Sequence, residues 1–338
     1  MTLLILTQAV NIDDPVLGFF HRWLEEFAKH FERIEVICLY EGRHALPENV
    51  SVHSLGKEKG PSRLKYVFRF YRYIFSLHYD AVFSHMNEEY ILLGGPIWRL
   101  LGKKVVLERN FRTGSWMTPI AARIANVVDY TSPDSFTARF SNAVQTPVGI
   151  DTNFFSPAET LPAPGSILFL GRTDSVKRVD VFLEAMQLLA NEGVEGRADI
   201  YGDPTPGNEA YAEALKKKYA EASNVSFYPG VPNTQTPELY RSHAMYVNIT
   251  PSGSFDKTIG EAMACGAVVV CANGAVRDVL PENLMAGDTA ETTAEAIRAA
   301  LAMSAAERAE LAEKSREWVL RKHSLKLLGQ WLADTFSA

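Results

Sequence analysis

Short apolar runs alternate along this chain with longer segments of helical period, and that alternation leaves few folds open to it. Leu3 to Leu6, Ile34 to Leu39, Val50 to Ser54, Ala81 to Ser84, Val105 to Leu107 and Val127 to Thr131 read as strands. Between the first two, Phe20, Trp23, Leu24, Phe27 and Phe31 line one face of a helix expected over Phe19 to Phe31. Strand and helix in turn predict a parallel sheet covered by helices. A second set of strand-like runs begins at Ser166 and continues through Ala198 to Tyr201, Val225 to Tyr228, Met245 to Ile249 and Val268 to Cys271. The proline and small-residue content of Thr146 to Ile150 and of Pro157 to Pro164 marks a boundary between the sets. A chain of 338 residues is long for one core. The expectation is therefore α/β, with Rossmann-like domains over 1–150 and 151–320 and a C-terminal helical segment over 321–338. The helical pattern from Ala305 to Ala338 marks Trp318, Leu320, Leu325, Leu328, Trp331, Leu332 and Phe336 for burial.

A net charge of −6 gives no electrostatic reason to expect a nucleic-acid partner. Cys38, Cys265 and Cys271 lie in apolar contexts without a Cys-x-x-Cys, which argues against disulfide and zinc frameworks. Met1 to Thr7 has no basic leader and reads as the first strand, and no segment approaches the ~20 apolar residues of a spanning helix. A cytoplasmic location is the default that follows.

Two segments carry the chemistry. In the first, Ser166 to Leu170 runs into Gly171-Arg172-Thr173-Asp174-Ser175-Val176-Lys177 and then a helix from about Val179. Arg172 offers a planar fork and Lys177 a mobile point charge, a pair suited to a pyrophosphate. In the second, Thr250-Pro251-Ser252-Gly253-Ser254-Phe255-Asp256-Lys257 opens a helix that continues to Cys265 and stops at Gly266. Small residues admit a ligand to the backbone, and Ser254 or Asp256 can cap the first turn, leaving N–H groups for an anion. Glu261, inside that helix, can accept hydrogen bonds from a sugar diol.

These segments resemble the donor site of the retaining glycosyltransferases of family 4, which have the GT-B fold. The resemblance covers most of the chain and is strongest from about Val148 to Val270. It implies two Rossmann-like domains with parallel sheets facing a deep interdomain cleft, and a terminal helix that returns to the N-terminal domain. It implies that Gly171, Arg172 and Lys177 hold a nucleoside diphosphate and that the loop and helix with Gly253, Ser254, Phe255 and Glu261 hold the sugar and ribose. Asp256 and Lys257, where the family more commonly has glycine and an apolar residue, are candidates for reassigned sugar contacts. Gly202, in Asp199-Ile200-Tyr201-Gly202-Asp203, would lie beside the nucleotide, and Gly18 in the loop that admits donor or acceptor.

Two departures from the family pattern stand out. The position eight before Glu261, commonly a second glutamate, is Gly253. The histidine usual after the strand at Lys104 to Leu107 is missing, and His85, at another strand end, is the candidate substitute for a catalytic role. The activity implied is metal-independent transfer of a hexose-type sugar from a UDP- or GDP-type donor, with retention, to a glycan or lipid-linked acceptor in glycan, polysaccharide or glycolipid biosynthesis. The nucleotide sugar is a substrate, and no cofactor is implied. Gly253 and the absent histidine motivate a second reading, an idle sugar-nucleotide-binding or scaffold protein. A nicotinamide dehydrogenase is weakly supported, since no Gly-x-Gly-x-x-Gly follows the first strand.

One further segment, residues 62–75, interleaves Arg63, Lys65, Arg69 and Arg72 with aromatics. It fits either an interfacial helix at the inner face of a membrane or a domain helix whose arginines extend past a core-facing aromatic stripe.

Overall fold

The computed structural model describes residues 1–60, 62–160 and 162–337; Pro61, Leu161 in the expected boundary stretch, and Ala338 at the end of the expected helical segment lie outside the described residues. The chain divides into two units, one formed by Met1–Gly149, Pro232–Thr234 and the segment from Leu325 onward, the other by Ile150–Val231 and Gln235–Ser324.

In the first unit the elements run β1 (Thr2–Val10), α1 (Phe19–Phe27), β2 (Arg33–Glu41), β3 (Val50–Ser54), α2 (Arg63–Ser76), β4 (Ala81–His85), α3 (Glu88–Leu100), β5 (Lys104–Glu108), α4 (Thr118–Ile124), β6 (Val127–Tyr130) and β7 (Ala143–Gln145). The strands form one sheet in the order β3-β2-β1-β4-β5-β6-β7, and every pairing is parallel. The apolar runs are continuous because both faces are covered. Leu3 and Ile5 of β1 meet Trp23, Leu24 and Phe27 of α1 on one face, while Leu4 and Leu6 meet Phe70, Ile74, Ile91 and Trp98 from α2 and α3 on the other.

The second unit runs β8 (Ala163–Leu170), α5 (Val179–Asn191), β9 (Arg197–Tyr201), α6 (Glu209–Lys218), β10 (Val225–Tyr228), α7 (Thr236–Ser242), β11 (His243–Asn248), α8 (Lys257–Ala264), β12 (Val268–Cys271), α9 (Ala290–Ala302) and α10 (Ala305–Lys322). Its sheet is also parallel, in the order β10-β9-β8-β11-β12. The last helix, α11 (Leu325–Ser337), contributes Leu325, Leu328, Leu332 and Phe336 to the core around α1 in the first unit.

Several expectations need correction. The helix read over Phe19 to Phe31 ends at Phe27, although Phe31 is buried. The pattern from Ala305 is two helices, interrupted where the Ile150 N–H donates to the His323 carbonyl at 2.8 Å and Ile150 bridges Ser324. Leu320 is exposed, because α10 buries Leu311, Ser315 and Val319 instead. The short strand β7, with its exposed Val144, has no counterpart in the apolar pattern.

Candidate functional site

Both sheets reverse their strand order beside the first strand of the unit, between β1 and β4 and between β8 and β11. Loops leaving the carboxyl ends of such neighbouring strands diverge to opposite faces and open a crevice, the usual ligand position in open α/β sheets. In the second unit those loops are Gly171–Arg178 after β8 and Ile249–Asp256 after β11. They are the two segments that sequence singled out.

An ion pair joins them. The Lys177 ammonium donates to Oδ2 of Asp256, with both side chains about five-sixths buried. Burial opposes ionisation of Asp256, yet the Lys177 charge and the hydrogen bonds from Lys177, Asn248 and Thr258 hold its carboxyl well below the usual carboxylate range. The same carboxylate is the N-cap of α8, accepting from the Thr258 N–H at 3.4 Å and the Thr258 hydroxyl at 2.9 Å. Of the two possible caps, Asp256 is therefore the one used. Asn248 Nδ2 donates to Asp256 Oδ2 at 3.0 Å, and the Tyr246 hydroxyl donates to Thr258 Oγ1 at 2.7 Å. Asp256 is already committed to this network, so its first task is to fix Lys177 and the start of α8.

Arg172 has a different setting. Its side chain is 46% exposed and lies 3.4 Å from Asp174, so the guanidinium fork remains accessible to an anion. Asp174 in turn caps the short turn over Ser175–Lys177, accepting from the Lys177 N–H at 3.2 Å. Arg178 follows at φ +57° and donates to Asp288 at 2.8 Å. Met86, after β4, has φ +62°; among the described residues these two are the only non-glycine positions with positive φ. Both stand at a switch point, where strained backbone marks places that the surrounding structure over-determines.

Gly202 closes the floor. A Cβ there would lie 1.7 Å from the Gly171 carbonyl oxygen, so the loop after β9 can touch the loop after β8 only through glycine. Thr173 Oγ1 donates to the Gly202 carbonyl at 3.0 Å and locks the contact. Gly18 has a similar need within its own turn, where a Cβ would come within 2.5 Å of the Asp14 carbonyl.

Glu261 lies buried on α8 and accepts from the Tyr240 hydroxyl at 3.0 Å. Burial and the Glu261 charge push the Tyr240 phenol up, so it stays a donor. Gly253 is buried at φ +138°, and the Ser254 carbonyl accepts from Asn273 at 2.7 Å. The Phe255 side chain is buried, stacked on Trp318 at 6.0 Å and tilted against His323 at 5.1 Å. Lys257, partly exposed, is the first residue of α8.

In the first unit His85 is almost wholly buried. Its Nδ1 lies 3.1 Å from Thr7 Oγ1, its Nε2 3.3 Å from Glu108 Oε2, and its ring stacks on Phe20 at 4.3 Å. Strand register sets His85, Glu108 and Asp129 side by side at the carboxyl ends of β4, β5 and β6. Sequence reasoning missed Glu108, Asp129, Tyr240, Tyr246 and Asn248 as neighbours of the candidate residues. Tyr246 and Asn248 alternate on β11 just before the loop, a period-2 signal that could have flagged them.

Residues 164–303, almost wholly in the second unit, match the sequence model of the family described as glycosyl transferases group 1. A D-inositol 3-phosphate glycosyltransferase of Segniliparus rotundus is 31% identical over 141 residues, 37% of this chain and 30% of the relative. The match thus spans about a third of that relative's length. The crystal structure of Anabaena HepE in complex with UDP and glucose aligns over 100% of both chains at 17% identity with a TM-score of 0.79. A sucrose-phosphate synthase from Thermosynechococcus elongatus aligns over 100% of this chain and 98% of its own at 16% identity, with a TM-score of 0.78. The fold is GT-B. Its two parallel α/β sheets carry this chain's seven and five strands.

Proposed function

We propose that the protein is a retaining family 4 glycosyltransferase that moves a sugar from a nucleoside diphosphate donor, of UDP or GDP type, to an acceptor hydroxyl. The observation that carries this reading is the Lys177–Asp256 pair, which sets a cation and the N-terminus of α8 together at the switch point of the second sheet. The family match over the same unit supports it, and the UDP named with HepE motivates a UDP sugar as the first donor to try.

In the proposed reaction the bond from the anomeric carbon to the diphosphate oxygen breaks while a bond to the acceptor oxygen forms on the same face. The acceptor proton passes to the departing phosphate. Negative charge grows on that phosphate, and Arg172, Lys177 and the first N–H groups of α8 are the groups arranged to stabilise it. Such donors act most strongly when fixed beforehand, as Lys177 is by Asp256. Glu261, oriented by Tyr240, is assigned to the ribose, and the backbone from Gly253 to Asp256 to the sugar. His85, oriented by Thr7 and Glu108, is the candidate catalytic group, and Gly18 is assigned to the loop that admits donor or acceptor.

The test is incubation of the purified chain with UDP-glucose, UDP-N-acetylglucosamine or GDP-mannose and a panel of glycan and lipid-linked acceptors, with product configuration read by NMR. An α-linked product from an α-linked donor, formed equally in EDTA, is the expected result. Tight nucleotide-sugar binding with neither transfer nor donor hydrolysis would favour the idle binding protein.

A further inference from the structure

The helix α2 presents an apolar stripe to solvent that its own unit does not use. Leu64, Phe68 and Phe75 are 86%, 71% and 68% exposed. Residues 64, 68 and 75 share a single helical face with Tyr71, which is partly buried against the unit's own core and stacks its ring on Phe75 at 6.4 Å. The adjoining side of the helix, roughly a third of a turn away, anchors it through buried Phe70 and Ile74. The aromatics of this segment therefore do not all face the core.

Side chains around the stripe fix its orientation. Tyr66 donates to the Gly60 carbonyl at 2.9 Å, Arg69 to Leu55 at 2.6 Å, Tyr71 to Leu93 at 3.2 Å and Tyr73 to Ser54 at 3.2 Å. With the helix held by these bonds, Phe68 and Phe75 cannot turn inward without breaking several of them. Helical geometry sets exposed Lys65 and Arg72 along one flank of the stripe, and Arg63 is exposed at the first position of the helix. Arg63–Ser76 contains four cations and no carboxylate, in a chain of net charge −6.

We propose that this face of α2 docks on an anionic lipid bilayer, with Leu64, Phe68 and Phe75 entering the headgroup region and Arg63, Lys65 and Arg72 contacting lipid phosphates. Charge complementarity decides the occupant. An apolar face alone would suit a protein partner or a second copy, but clustered cations around exposed aromatics match an anionic interface, where apolar insertion and phosphate attraction act together. Among the described residues no helix is long and apolar enough to cross a membrane, so the contact is peripheral. This inference concerns surface binding and does not depend on glycosyl transfer.

The experiment is co-sedimentation of the full chain with phosphatidylcholine vesicles containing or lacking phosphatidylglycerol, at low and high salt. Wild type should pellet with the anionic vesicles, pellet weakly with neutral ones, and be released by salt. Phe68→Ser with Phe75→Ser should reduce binding about tenfold or more. Each cation changed to Ala should cost roughly fivefold at low salt. Unchanged far-ultraviolet dichroism and melting temperature confirm that the variants fold. Equal pelleting with neutral and anionic vesicles, or wild-type binding by the double Phe variant, would overturn the proposal. So would a wild-type dimer that the double Phe variant converts to monomer without lipid, because the face would then belong to a second copy.

Discussion

Lys177 and Asp256, 79 residues apart in sequence, are bound to each other across the two loops that leave neighbouring strands β8 and β11. Lys177→Ala removes the cation and strands a mostly buried carboxylate, a change that typically costs about 3 kcal/mol. It should also weaken UDP binding far more than uridine binding, because only the former presents phosphates. Calorimetry with both ligands checks this, and equal losses would remove Lys177 from the phosphate site.

Asp256→Asn keeps an N-cap but removes the charge that partly neutralises Lys177. At low salt the variant should bind free UDP about threefold more tightly while its kcat falls, because the ammonium is no longer fixed before the reaction. Weaker UDP binding would mean that positioning outweighs neutralisation. Asp256→Ala loses the cap as well and should be about 1 kcal/mol less stable than the Asn variant.

Gly202→Ala forces a methyl against the Gly171 carbonyl, with 1.7 Å between the two atoms before any movement. Backbone cannot yield as a side chain would. A loss of about 3 kcal/mol, or roughly 10 °C in melting temperature, is expected, together with loss of nucleotide binding. A variant that melts like wild type would show that the two loops separate freely.

His323 offers a pH signature. Burial, then the Lys322 charge, lowers its pKa to about 4, with Asp278 opposing. The folded chain thus resists a proton that the unfolded chain takes up near 6.5. Its stabilising contribution is complete above about pH 6.5 and is lost as pH falls toward 4, an effect of at most about 3 kcal/mol. Denaturation midpoints measured across that range should fall in wild type and flatten in His323→Gln. Parallel curves for the two proteins would assign the acid sensitivity elsewhere.

Most of the fold was legible because it rests on local pattern. Leu3 to Leu6 and Val268 to Cys271 are apolar without interruption, as strands covered on both faces must be. Gly266 stands at φ +82° just past α8, where a helix stop was read. What escaped depends on distant partners. The break between α10 and α11 has no glycine or proline to announce it and is fixed by Ile150. The aromatics of α2 are spaced for a helix, but spacing cannot tell Phe70, which is buried, from Phe68, which is not. At the candidate site the cations and the capped helix were readable, whereas Asp256's attachment to Lys177 was not, since no local rule pairs residues so far apart.

The double attachment of Asp256, to Lys177 and to the first turn of α8, bears on how readily donor preference could drift in a chain like this one. Residues 252–254 form a loop joined to the segment after β12, and altering them leaves the cation and the helix frame in place. A change at 256 disturbs both at once. In a saturation library over 252–257 selected for a new sugar, most solutions should therefore accumulate before position 256, leaving the carboxylate there nearly invariant.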